Sequence, residues 1–177
     1  SRSAISLTFP LPLSYAQRMK AVPGVTLVSW ANWFGGIYID ERNFFPQFAV
    51  EPETYLRLYP EYLLSDTERL AFLKDRQGAV VGRKLAVKYG WKLGDTVPLR
   101  GTIYPGTWTF TIRGIYDGAQ TNTDENQMLF HYALINESIK KRFPGRGDNT
   151  GAFILGIDQP ANAAIVSRAI DAEFRNS

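Results

Sequence analysis

A chain of 177 residues with 45% hydrophobic side chains can bury a proper core, as one large domain or two small subdomains. Its 20 basic and 17 acidic residues leave a net charge of +3 without the basic stripe of a nucleic-acid binder. The absence of cysteine excludes disulfides and thiolate metal sites, and no apolar run reaches the ~18 residues of a membrane span.

In chain order, Ile5 to Pro10 reads as extended. Ser14 is placed to cap a short helix from Tyr15 to Val22, with Tyr15, Met19 and Val22 on one face and Pro23-Gly24 as its stop. Val25 begins a β-rich run to Ile39, with a bend or bulge expected at Gly35-Gly36. Phe44 to Val50 is a further extended piece, and Pro52 starts a short helix carrying Tyr55, Leu56 and Tyr59. Ser65-Asp66-Thr67-Glu68 matches a capping box and predicts a helix to about Lys74.

A second helix is expected from Val80 to Tyr89, ended by Gly90 in the left-handed position. After the Leu93-Gly94-Asp95 turn, Thr96 to Leu99 reads as a strand whose Pro98 suggests a sheet edge. Beyond Pro105-Gly106, the alternation of Trp108, Phe110 and Ile112 with Thr109, Thr111 and Arg113 marks a half-buried strand. Gln120 to Gln127 is a polar loop. Met128 to Ile135 reads as an apolar strand or a strand–helix junction, and Glu137 to Phe143 as helix. Lys140-Lys141-Arg142, the densest basic cluster, falls near that helix's end, where cations complement the dipole. Phe153 to Ile157 is a buried strand. Pro160 is set at the start of a last helix, on which Val166, Ile170 and Phe174 recur on one face.

Chemistry-bearing motifs are sparse. The single histidine, His131, lies in an apolar strand and reads as structural. Asn122, Asp124 and Asn126 alternate as in a calcium loop, but the glycine and distal glutamate of an EF-hand are missing, so a solvated loop is the default. There is no Gly-x-Ser-x-Gly elbow, no Walker A loop and no recognisable carboxylate pair. No catalytic, cofactor or metal residue is therefore assigned. The 14% aromatic content serves either core packing or a binding face. The chain opens at Ser1-Arg2-Ser3 without an initiator Met and closes directly after a helical pattern, which reads as a domain cut from a longer protein.

The stretch Gly78 to Leu99, with its Leu93-Gly94-Asp95 turn and following short strand, and the strand Thr107 to Gly118, with Ile112-Arg113-Gly114-Ile115, form an ordered set with the earlier Ala21-Val22-Pro23-Gly24-Val25. This set resembles the extracytoplasmic core domain of MacB/FtsX-type ABC transporter permeases, over essentially the whole chain. The resemblance implies an α+β fold: a porter-like split βαβ subdomain from residues 1–56 and 150–177, interrupted by a smaller inserted β-rich, Sabre-like subdomain from residues 57–149. It implies a non-catalytic domain without cofactors, set between two membrane helices on the periplasmic side of the inner membrane. The implied partners are a cytoplasmic ATPase subunit or domain, a second permease copy, and a periplasmic protein or a hydrophobic or peptide substrate; nucleic acid is not among them. Movement would pass from ATP hydrolysis to the outer domain, for export, lipoprotein release or cell-wall enzyme regulation. Within the insertion, the turn carrying Tyr104, Pro105 and Thr107 and the loop carrying Asn122 and Asp124 are the candidates for partner contact. The competing readings are a free-standing secreted ligand-binding module with an aromatic surface, and a small enzyme with dispersed carboxylates.

Overall fold

The computed structural model describes residues 4–8 and 10–175. The chain ends read above as cut points, Ser1 to Ser3 and Asn176 to Ser177, lie outside the described residues, as does Phe9 within the extended Ile5–Pro10 segment.

The elements are β1 (Ala4–Leu7), β2 (Leu11–Pro12), α1 (Tyr15–Lys20), β3 (Val25–Trp33), β4 (Gln47–Val50), α2 (Pro52–Leu58), β5 (Tyr62–Leu63), α3 (Asp66–Lys74), β6 (Gly78–Gly82) and α4 (Arg83–Tyr89). There follow β7 (Thr96–Gly101), β8 (Gly106–Gly118), β9 (Met128–His131), α5 (Tyr132–Arg142), β10 (Asn149–Thr150), β11 (Ala152–Ile157) and α6 (Ala163–Arg175). The fold is α+β, built on one large mixed sheet. Its strand order is β1-β11-β3-β4-β9-β6-β8-β5, with β7 also on β8, while β2 and β10 form a separate ribbon. The β4–β9 and β6–β8 pairs are parallel; the others are antiparallel. Phe153 to Ile157 pairs with β1 and β3.

Alternation along the strands sends side chains to two faces. Ala49, Ala79, Val81, Met128 and Phe130 join a cluster with Leu85 of α4 and Ile135 and Ile139 of α5. Their neighbours Val50, Val80 and Leu129 face the other way, onto Leu56 of α2 and Phe72 of α3. A third cluster packs Val28, Phe153 and Leu155 under Met19 of α1 and Val166 and Ile170 of α6. The parallel pair β4–β9, in register from Gln47–Met128 to Val50–His131, carries the sheet without a break from the flanking segments into the middle of the chain. Residues 57–149 hold three helices beside five strands.

Local chemistry accounts for several ends. Ser65 Oγ accepts from the Glu68 amide at 3.1 Å. The Glu68 carboxylate returns to the Ser65 hydroxyl at 2.7 Å, not to its amide, and its second oxygen accepts the Ile115 N–H at 2.9 Å. Gly90 ends α4 at φ 69°. Pro98 sits in β7, whose one strand partner is β8; its other side meets only an isolated bridge from Ile37 to Arg100.

Four expectations change. The segment from Val80 is strand before it is helix: β6 is buried along its whole length between β8 and β9, so its apolar run has no alternation to announce it. Ser14 has helical dihedrals and makes no side-chain cap, leaving α1 to be fixed by Met19 packing. Strand β3 ends at Trp33, and residues 34–46 leave the sheet as a strap instead of bulging within it. Pro160 starts a short 3-10 turn, Pro160–Asn162, ahead of α6.

Candidate functional site

The five residues singled out in the sequence fall at opposite ends of β8. Its 13 residues span roughly 40 Å at about 3.3 Å per residue, so the turn before it and the loop after it cannot form one site.

At the first end, β7 and β8 make a hairpin paired as far as Gly101 and Gly106. Glycine is required at 101, where a Cβ would lie 1.6 Å from the Tyr104 carbonyl oxygen. The Tyr104 ring stacks on the buried Phe34 with 5.6 Å between centroids, and its carbonyl accepts the Trp108 indole N–H at 2.9 Å. Burial raises the pKa of its phenol, so the hydroxyl stays protonated. Pro105 and Thr107 are exposed, but Arg142 of α5 donates to the Pro105 carbonyl at 2.9 Å. The turn is therefore a fixed protrusion.

At the far end, a cleft of about 580 Å³ opens between Tyr59-Pro60-Glu61-Tyr62 and the loop holding Gln120, Asn122, Thr123 and Asp124. Tyr59 and Tyr62 line it and belong to a row of four tyrosines: Tyr55 stacks on Tyr59 at 4.5 Å, Tyr59 on Tyr62 at 5.3 Å, and Tyr62 meets the buried Tyr116 at 4.7 Å. Burial pushes the Tyr55 and Tyr116 phenols well above the ordinary range, so both remain neutral. The loop is tied down by the Tyr116 hydroxyl donating to the Asp124 carbonyl at 2.5 Å and by the Gly118 N–H donating to Glu125 Oε2 at 2.6 Å. The Asp124 carboxylate accepts the Asn126 N–H at 2.8 Å, a local turn contact. Among the described residues, no group of three or more His, Asp and Glu side chains could hold a metal ion.

Sequence reasoning missed a third surface, the strap of residues 34–46. Its inner side carries Tyr38 and Phe45 onto Tyr89 and Trp91, and the Trp91 indole donates to the Tyr38 hydroxyl at 3.2 Å. Its backbone exchanges two hydrogen bonds with β7, Ile37 N–H to the Arg100 carbonyl at 2.8 Å and the reverse at 2.9 Å. The strap thus ties β3 and β4 to the edge strand β7. The available signal was Trp33, Phe34 and Tyr38 around Gly35-Gly36, which the strand reading to Ile39 absorbed, and the charged Asp40-Glu41-Arg42 triplet that separates it from Phe44-Phe45.

His131 caps the junction of β9 and α5. Its Nε2 lies 2.8 Å from the Phe72 carbonyl oxygen, so this nitrogen carries the proton and donates. Burial lowers its pKa, and the ring has no carboxylate hydrogen-bonded to it that would make it a base.

No family model matches this sequence, and no curated protein does. Solved structures share its fold. A domain assigned to a permease of Porphyromonas gingivalis aligns over 98% of this chain and 82% of its own, with a TM-score of 0.61 at 17% identity. The extracellular domain of the ABC-type transporter YknZ from Gram-positive bacteria aligns over 89% and 78%, with a TM-score of 0.58 at 12% identity. The periplasmic region of MacB from Actinobacillus actinomycetemcomitans aligns over 94% and 73%, with a TM-score of 0.64 at 14% identity. The chain thus has the fold of these extracytoplasmic transporter domains. No helix among the described residues is long and apolar enough to cross a membrane.

Proposed function

We propose that this chain is the outer, non-catalytic domain of an ABC transporter permease of the inner membrane, and that it couples cytoplasmic ATP hydrolysis to movement on the periplasmic side. The observation that carries this reading is the fold likeness to MacB, YknZ and permease domains over nearly the whole chain. The physical requirement is a body that moves as a unit between two linked states. The unbroken sheet across β4 and β9, with buried clusters on both faces, supplies that stiffness. In this reading the ATPase is a separate subunit or domain, the permease is a dimer, and the domain engages a periplasmic protein or a hydrophobic or peptide substrate. Residues 1–56 and 150–177 form the porter-like part and residues 57–149 the insertion. The half-buried Tyr104 with the exposed Pro105 and Thr107 at one end of β8, and the exposed Asn122 and Asp124 at the other, are its contact points.

The test is a disulfide placed between the outer domains of the two permease copies in the full-length transporter. These 177 residues contain no cysteine, so no native thiol of this domain competes with an introduced pair. Oxidation is expected to stop transport and reduction to restore it. Transport that continues unchanged with the domains locked would refute the coupling.

A further inference from the structure

A crevice of about 280 Å³ lies on the outer side of the strap, walled by Trp33 and Phe44 and floored by Gly35 and Gly36. We propose that this crevice docks a polypeptide segment, which lays one apolar side chain against Trp33 and Phe44 and sets a lysine or arginine against Glu41.

The first argument is construction. The buried amide of Gln47 holds both polar groups of Gly36, accepting its N–H at 2.7 Å and donating to its carbonyl at 2.9 Å. Thr102 donates to the Gly35 carbonyl at 2.8 Å, and Asn43 donates from its side chain to the Tyr38 carbonyl at 2.9 Å. The floor tolerates no side chain: a Cβ on Gly35, at φ 68°, would lie 2.8 Å from the Trp33 indole nitrogen, and one on Gly36 would lie 2.7 Å from the Phe34 ring. A crevice held this firmly costs little ordering when it is filled.

The second argument is what the strap leaves in water. Phe44 is 70% exposed, Ile39 74% and Trp33 41%, with Trp33 and Phe44 only 6.1 Å apart between ring centroids. Ile39 holds φ at 66°, a region that β-branched residues avoid. Such strain persists only where the surroundings over-determine it, and it tends to mark recognition segments. The volume falls below the range of drug-sized ligand sites and suits one large side chain.

The third argument is charge. The crevice lining includes Asp40 and Glu41 and no basic residue. Asp40 is occupied by Arg42 at 3.0 Å, whereas Glu41 makes no ion pair among the described residues. A second copy meeting this face about a two-fold axis would set Glu41 against Glu41. A cationic polypeptide segment with an apolar anchor satisfies both features together.

This inference deepens the transporter reading by assigning the domain a contact face, and its test is independent of transport. Two fluorescein-labelled peptides, each a glycine-serine chain with one phenylalanine flanked either by lysines or by glutamates, are titrated with the 177-residue chain at low salt. The lysine peptide is expected to bind saturably. Phe44→Ser should weaken it by about tenfold, as loss of a buried aromatic contact does. Glu41→Gln should weaken it by about threefold, the effect of an exposed ion pair, and should abolish the preference over the glutamate peptide. Phe44 is exposed, so an unchanged melting temperature verifies the Phe44→Ser fold, and Glu41→Gln provides a second route without any loss of packing. The proposal is overturned if neither peptide binds, if the two bind equally, or if Phe44→Ser leaves binding intact. Tighter Phe44-dependent binding to phosphatidylglycerol vesicles, or Phe44-dependent self-association, would overturn it as well. Peptide binding that fails while the disulfide lock still blocks transport would sink this inference alone; the converse would sink only the coupling.

Discussion

Replacing Gly82 by alanine should be among the most damaging single-methyl changes in the molecule. Gly82 closes β6 and stands at the N-cap of α4, with φ −72° and ψ 153°, dihedrals open to any residue. The problem is space: a Cβ would lie 2.1 Å from the Glu125 carbonyl oxygen and 2.3 Å from its carbon. That carbonyl accepts the Leu85 N–H at 3.1 Å, serving α4 as the cap that a glycine cannot supply, and the Gly82 N–H donates to the Gln127 carbonyl at 3.1 Å. Making room moves the loop by more than an ångström and breaks both bonds. Two hydrogen bonds at about 1 kcal/mol each, with overpacking strain of about 2 kcal/mol, give a loss of about 4 kcal/mol. At about 2–4 °C per kcal/mol for a chain of this size, the melting temperature should fall by 8–16 °C. Scanning calorimetry or urea denaturation reads this directly. Gly145→Ala is the control, since nothing lies within 4 Å of its Cβ position. A Gly82→Ala protein that melts within about 3 °C of the parent would show that the loop yields freely, and the close-approach argument would fail.

Gln47→Met keeps the volume but leaves both polar groups of Gly36 unpaired; a loss of about 2 kcal/mol in urea denaturation is expected, and an unchanged midpoint would mean water replaces the amide. Ile39→Asn should raise stability by about 1 kcal/mol, because asparagine tolerates the left-handed region and the isoleucine is mostly exposed; a drop in the urea midpoint would show that the isoleucine side chain holds the strap. Burial lowers the pKa of His131, so the unfolded chain takes up a proton that the folded one refuses. The stability from keeping the ring neutral is complete above the unfolded value of about 6.5 and is lost as the pH falls below it toward the folded value. His131 is the single histidine, so the parent should lose stability at up to about 1.4 kcal/mol per pH unit below pH 6.5, relative to His131→Gln. Parallel pH profiles for the two proteins would refute this.

What could be read from the sequence was what local spacing encodes. The alternation of Trp108, Phe110 and Ile112 on β8 is visible because this part of the strand turns one face, with Thr109 and Arg113, to solvent. Ser65 and Glu68, three residues apart, place the start of α3, and Gly90 places the end of α4 through its own backbone freedom. The start of α4 was not legible, because its cap is the Glu125 carbonyl, 40 residues away in the chain. β6 was hidden for the related reason that burial on both faces removes the period of two. At the candidate surfaces, the turn and the loop were found through their proline, glycine and polar composition. The strap was missed because aromatic residues around two glycines have the composition of a bent strand; only the Gln47 clamp and the Ile37–Arg100 exchange show that the segment has left the sheet.

Those long-range ties bear on the stiffness that the proposed coupling requires. A sheet joined only by β4 and β9 would connect its two halves through a parallel pair of four residues each, a narrow hinge. The strap adds a second connection, running from the end of β3 out to β7 and anchored by Gln47, Thr102 and the Tyr38–Trp91 contact. On the opposite face, one buried cluster joins Val50, Leu56 and Leu58 of the first half to Phe72, Val80 and Leu129 of the second. Bending the sheet about β4–β9 would therefore break the strap's polar contacts on one face, each worth about 1 kcal/mol or more, and open a buried apolar cluster on the other. The low-energy motion left to such a body is rotation as a whole, with the two ends of β8 carried in step.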